Sequence, residues 1–186
     1  DTWCTVASLP NVRPVLATTR SEGFPMDVPA DDMWLQGDGD LGQRIERIIT
    51  RGLIHAPAAI AVGADSPTLA IAHIGAALEL IRTNDAVVGP SIDGGFYLLA
   101  LRQCPPGLFD SVPWSTAGTR QALMRRLEEH GFTIAQLEPL FDIDTPADLR
   151  FLEEHFGCGP SPGSATQAWY GENRGCVIAA LPCESA

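Results

Sequence analysis

Apolar and polar residues fall in blocks along this chain, and the blocks switch between two periods. Short uncharged runs rich in small and β-branched residues suit strands, whereas apolar residues three and four apart line one face of a helix. Asn11 to Thr19 reads as a strand, and Leu41 to Leu53 as a helix with Leu41, Ile45, Ile48, Ile49 and Leu53 on one face. Ala58 to Val62 is apolar without alternation, as in a strand covered on both sides, and Gly63 ends it. A helix from about Thr68 to Ile81 follows, carrying Leu69, Ile74, Leu78 and Ile81. Asp85 to Pro90 and Gly95 to Leu101 are strands too close together for a helical crossover, so a turn joins them and the sheet is mixed.

Gly118 to His130 is the next helix, with Gly131 as its C-cap, and Phe132 to Leu137 the next strand. Asp144-Thr145-Pro146-Ala147-Asp148 opens a last helix, to about Phe156, with a capping residue, an early proline and an acid at the positive dipole end. This alternation predicts one α/β domain over 1–156. Residues 157–175, rich in Gly, Pro and Ser, read as a linker. Cys176 to Leu181, in the tail 176–186, reads as either a strand added to the sheet or an undocked end.

Composition narrows the partners. The chain has 186 residues, 45% hydrophobic and 19% charged, enough for one domain with a sizeable core. A formal net charge of -11 speaks against nucleic acid and anionic membrane surfaces. It leaves room for a small phosphate ligand held by metal ions and backbone N–H groups. No apolar run approaches the roughly 20 residues of a membrane helix, and the start shows no signal pattern, so a cytoplasmic protein is expected. The 5 cysteines and 4 histidines lack ligand spacing, which points to free thiols and away from structural zinc.

The chemistry gathers in four segments that end strands or open helices. Gln36-Gly37-Asp38-Gly39-Asp40-Leu41-Gly42 runs into a helix start, where its glycines allow close approach to a ligand and Asp38 or Asp40 serves equally well as an N-cap. Gly63-Ala64-Asp65-Ser66-Pro67 delivers one carboxylate to the carboxyl edge of the sheet, where it either holds a divalent cation or caps a helix starting at Ser66-Pro67. Ser91-Ile92-Asp93-Gly94-Gly95 presents Asp93 on a tight turn. In Phe141-Asp142-Ile143-Asp144, only one of the two carboxylates is expected to face a given site if the segment is extended.

Taken in order, these segments resemble a known family. Gln-Gly-x-Gly-Asp-Leu-Gly-x-Arg, Gly-x-Asp-Ser-Pro, Gly-Pro-x-x-Asp-Gly-Gly-Phe-Tyr-Leu-Leu-Ala-Leu, Val112-Pro113-Trp114-Ser115-Thr116 and Asp142-Ile143-Asp144-Thr145-Pro146-Ala147-Asp148-Leu149 together look like the bacterial glycosyltransferase-like family DUF2064. Its members are similar to nucleotide-diphospho-sugar transferases of GT-A fold, and some are associated with arsenosugar biosynthesis. The resemblance covers about Asp1 to Leu152. It implies a three-layer α/β/α sandwich with a mixed, mostly parallel sheet, and a transferase using a nucleotide-sugar donor, a small-molecule acceptor and Mg2+ or Mn2+.

Residue by residue, the resemblance makes Asp65 a metal-binding and catalytic carboxylate, with Asp144 as the second metal ligand and Asp142 in reserve. Asp93 becomes an acceptor-activating base or hydroxyl ligand. Gly37, Gly39, Asp40, Gly63, Ser66, Gly94, Gly95 and Trp114 would line the donor and acceptor pockets, Trp114 by stacking on a sugar or by packing under its loop. Family members ordinarily begin with a strand and a basic phosphate loop. This chain begins at Asp1-Thr2-Trp3-Cys4, in what corresponds to the following helix, so Cys176 to Leu181 is expected to fill the strand's slot. A nucleotidyltransferase of the same fold, or a non-catalytic binding relative, are the other readings.

Overall fold

The computed structural model describes residues 1–20, 22, 28–156 and 165–180, the side chains of Phe156 and of residues 174–180 excepted. In chain order the elements are α1 (Thr2–Ala7), β1 (Leu16–Thr18), β2 (Met33–Leu35), α2 (Leu41–Leu53), β3 (Ala59–Val62), α3 (Ile71–Leu80) and β4 (Ala86–Pro90). Then come β5 (Phe96–Leu101), α4 (Thr119–Glu129), β6 (Ile134–Gln136), α5 (Leu149–Phe156) and α6 (Ala165–Ala180).

The larger sheet has the order β3-β5-β4-β6, and β1 pairs with β2 in a separate parallel ribbon. β5 lies antiparallel between β3 and β4, while β4 and β6 are parallel. β3, β4 and β6 therefore share one direction, and the mostly parallel expectation holds for strand direction. It fails for neighbouring pairs, because β5 returns from β4 by a short turn and takes the place beside β3.

Alternation along β4 and β5 sends side chains to two cores. Ala86, Val88, Leu99 and Leu101 join Ile49 of α2 with Leu123 and Leu127 of α4. Val87, Leu98 and Ala100 join Ile74 and Ala77 of α3, with Val6 of α1 packed alongside. Helices thus cover both faces of the sheet, as the uncharged runs require.

Several boundaries differ from the sequence reading. The first strand is confined to Leu16–Thr18, since Pro14 cannot donate to a ladder and Asn11 is left-handed at φ 60. β2 was not foreseen: Met33-Trp34-Leu35 is too short to show a period. α3 starts at Ile71, not at Ser66-Pro67, and His73 Nδ1 accepts the Ala70 N–H at its start. Asp65 is consequently not the cap of α3.

The C-terminal reading is corrected as well. Residues 165–175, expected as linker, and the described part of the expected strand, 176–180, form one helix, α6. Its Tyr170 is buried with Leu152 of α5, and the Asp1 carboxylate accepts the N–H groups of Ala165 and Thr166 at 2.7 and 2.8 Å. An outside carboxylate thereby satisfies amides that a helix start leaves open. The remainder of the expected linker and tail, 157–164 and 181–186, lies outside the described residues.

α2 shows a local rule at work. Asp40 Oδ1 accepts the Gln43 N–H at 2.9 Å, and Gln43 Oε1 accepts the Asp40 N–H at 3.0 Å, closing a reciprocal cap. Replacing Asp40 with alanine is expected to cost about 1 kcal/mol, read as a lower urea midpoint at unchanged slope.

Candidate functional site

Three segments meet at the carboxyl ends of β3 and β4. β4 leaves the sheet at Pro90, and Ser91 to Gly94 turn the chain into β5, with Gly94 N donating to Ser91 O at 3.3 Å and Ser91 N to Gly95 O at 3.1 Å. The Asp93 carboxylate accepts the Gly95 N–H at 2.8 Å, which fixes the side chain of an exposed residue. Gly94, at φ 97, lies against the backbone of Ala117, and Arg120 N donates to Gly94 O at 3.0 Å. The turn is thus tied to the loop that precedes α4.

The chain beyond β6 runs on beside this turn. Leu140 N donates to Pro90 O at 3.0 Å, Ile92 N to Leu140 O at 3.1 Å, and Ile143 N to Asp65 O at 3.1 Å. These bonds stretch Leu140 to Asp144 between the Asp93 turn and the Asp65 loop. Asp93, Asp142 and Asp144 each bring one carboxylate oxygen into a group whose members all lie within 4.8 Å of one another. The expectation that only one of Asp142 and Asp144 faces the site is therefore overturned, since residues two apart in an extended segment share a face.

The charged groups that act on Asp142 and Asp144 are themselves carboxylates. Burial pushes the Asp142 carboxyl above the usual carboxylate range, and the neighbouring charges of Asp93 and Asp144 push the same way against a Ser91 hydrogen bond. Asp144 is raised too, by burial first and then by the charges of Asp65, Asp93 and Asp148. The Asp65 side chain folds back toward its own loop: a Cβ on Gly63 would lie 2.7 Å from Asp65 Oδ1.

Ser91 is the residue the sequence reading overlooked. It is 2% exposed, and its hydroxyl reaches Asp142 without completing a well-formed hydrogen bond. Its position directly before Ile92-Asp93-Gly94 was the available signal. Ser66 and Thr68 also keep buried hydroxyls without partners, in the loop that carries Asp65.

The other expected residues are spread along the same edge. Gly63 N donates to Tyr97 O at 2.8 Å and so extends the β3–β5 ladder to the start of the Asp65 loop. Gly37 and Gly39 are left-handed, in a loop whose carbonyls accept Arg44 and Arg47 guanidinium groups. Asp40 serves the α2 cap. Trp114 packs on Gly42, where a Cβ would lie 2.8 Å from Nε1, and against Phe96 and Phe109 at ring separations of 6.2 and 6.1 Å. Asp40, Phe109 and Trp114 share a cavity of about 170 Å³ whose lining includes none of the clustered carboxylates.

A family model described as an uncharacterized protein conserved in bacteria (DUF2064) matches residues 5–116. No curated protein matches. A crystal structure of a provisionally named nucleotide-diphospho-sugar transferase from Desulfovibrio desulfuricans G20 superposes with a TM-score of 0.82, at 22% identity, over 98% of this chain and 82% of that one. At that identity the likeness establishes the fold alone. Among the described residues, no helix is long and apolar enough to cross a membrane.

Proposed function

This chain belongs to the DUF2064 family, and from that premise we propose that it transfers a sugar from a nucleotide-diphosphate donor to a small-molecule acceptor with the help of Mg2+ or Mn2+. The observation that carries the proposal is the group Asp93, Asp142 and Asp144 at the carboxyl edge of the sheet. In open α/β sheets ligands bind at that edge. The likeness in fold to a protein named for nucleotide-diphospho-sugar transfer supports the donor class.

The residues fit such a cation. Carboxylate oxygens suit hard divalent ions, and metal–oxygen distances of about 2.0–2.6 Å put opposite ligands about 4–5 Å apart. The group's own spread, up to 4.8 Å, matches. When bound there, the ion supplies Lewis-acid stabilisation of the leaving nucleoside diphosphate. Asp65, exposed and outside that group, is the carboxylate we assign to the acceptor hydroxyl, to orient it and take its proton. Gly37 and Gly39 supply backbone N–H groups toward the donor, and Gly94 and Gly95, whose own N–H groups close the turn, shape the pocket beside it, with Ser66 as a hydroxyl partner and Trp114 as the wall beyond the Gly94 turn.

The test is calorimetric titration with UDP, GDP and their sugars in the presence of Mn2+, followed by product analysis. Binding of one donor, with transfer lowered about 10²–10⁴-fold in Asp65→Ala, is the expected result. Absence of binding by every donor at millimolar concentration overturns the reading. With an NTP and a phosphorylated acceptor supplied in place of the nucleotide sugar, release of pyrophosphate would make the protein a nucleotidyltransferase.

A further inference from the structure

Two carboxylates in the Asp65 loop and the Asp-x-Asp segment are what the family resemblance offers a cation, but the geometry selects a different set. Among the described residues, Asp93, Asp142 and Asp144 are the group that brings oxygens mutually within 4.8 Å, and Asp65 is not in it. The Asp65 carboxylate turns back over Gly63, and it is the Asp65 main-chain carbonyl that bonds the extended segment, at Ile143. A second observation is the Ser91 hydroxyl, buried on a residue 2% exposed and without a completed hydrogen bond, which reaches Asp142. A buried hydroxyl left open costs free energy unless something completes its surroundings.

We propose that Asp93, Asp142 and Asp144 are the cation's ligands, that Ser91 orients Asp142 from the outer shell, and that Asp65 is a positioning residue outside the coordination sphere. Asp65 acts on the centre through its carbonyl, which holds Ile143 and with it the neighbouring Asp144. Its carboxylate is left for the acceptor. The assignment deepens the transferase reading but does not depend on transfer being the reaction.

Mn2+ binding to the full chain, followed by the loss of the free-ion electron paramagnetic resonance signal in the absence of nucleotide, tests it. Asp93→Asn, Asp142→Asn and Asp144→Asn are each expected to weaken binding by about 100-fold or more, and Ser91→Ala by about 10-fold, within the 10–100-fold typical of outer-shell partners. Asp65→Asn should stay within about 3-fold of the parent, because its carbonyl is unchanged. Thermal melts without Mn2+ confirm that each variant is folded. Loss of binding in Asp65→Asn together with retention in Asp93→Asn overturns the assignment, as does failure of the parent to bind Mn2+. Binding of Mn2+ with the expected variant pattern but of no nucleotide sugar keeps this centre and removes the transferase reading.

Discussion

Alanine in place of Gly94 is expected to lose sugar transfer and thermal stability together. An added Cβ would lie 2.8 Å from the Cα and carbonyl carbon of Ala117, so it meets backbone that cannot rotate away. The φ of 97 adds strain on the order of 1–3 kcal/mol for a residue with a side chain. In a chain of this size each kcal/mol lowers the melting midpoint by roughly 2–4 °C. The loop opposite is the stiffer partner, since Thr116 Oγ1 and Thr119 Oγ1 both donate to Pro113 O, at 3.0 and 2.6 Å. The turn gives way and takes Asp93 with it. Gly131→Ala is the matched control: its φ of 75 carries similar strain, but a Cβ there meets nothing within 4 Å. It should melt lower and keep full activity. Equal activity in both variants would show that the turn is no part of the site.

Asp142→Asn is expected to raise the melting midpoint of the cation-free protein while abolishing transfer. Asp142 is an acid whose folded-state pKa lies above its ordinary value of 3.8, so folding favours the protonated form. Below that value both states are protonated and nothing is lost. As pH rises from 3.8 through the folded pKa, the unfolded chain ionises first and stability falls; above both values the loss is complete. Asparagine has the shape without the charge, so melts near pH 7 should improve and the acid-side gain of the parent should shrink. Mn2+ should raise the parent's midpoint and leave the variant's unchanged. A variant that melts lower than the parent at pH 7 without Mn2+ contradicts the cause given for the shift.

Most of the fold was legible because it rests on local chemistry. α2 declared itself through five apolar positions on one face, with Asp40 one of two candidate caps, and Gly131 does end α4 with φ 75. β4 and β5 were readable as uncharged runs because β4 is buried throughout and β5 from Tyr97 onward. What stayed hidden depends on distant partners. Met33-Trp34-Leu35 becomes a strand only by pairing with Leu16-Ala17-Thr18. Residues 165–180 contain the glycines and polar residues of a linker, yet α5 and the Asp1 carboxylate supply a surface and a cap that hold them as a helix. Within the site, the carboxylates were found as separate motifs. Their convergence was not, because it follows from main-chain bonds between Leu140 to Ile143 and two loops far away in sequence.

β5 has a consequence for the order in which this protein comes together. It is hydrogen-bonded to β3 on one side and β4 on the other, so the Asp65 loop and the Asp93 turn are both registered on a single strand. The segment bearing Asp142 and Asp144 then needs β6 seated on β4. Seating β5 on β4 closes the shortest stretch of chain, seating it on β3 a longer one and seating β6 on β4 the longest, and chain entropy places long closures late on the folding route. The carboxylate group exists only after the last of them. A ligand that recognises the group cannot speed the climb to the transition state; it can only hold the finished structure shut, lengthening the lifetime of the native state and leaving the rate of its formation untouched.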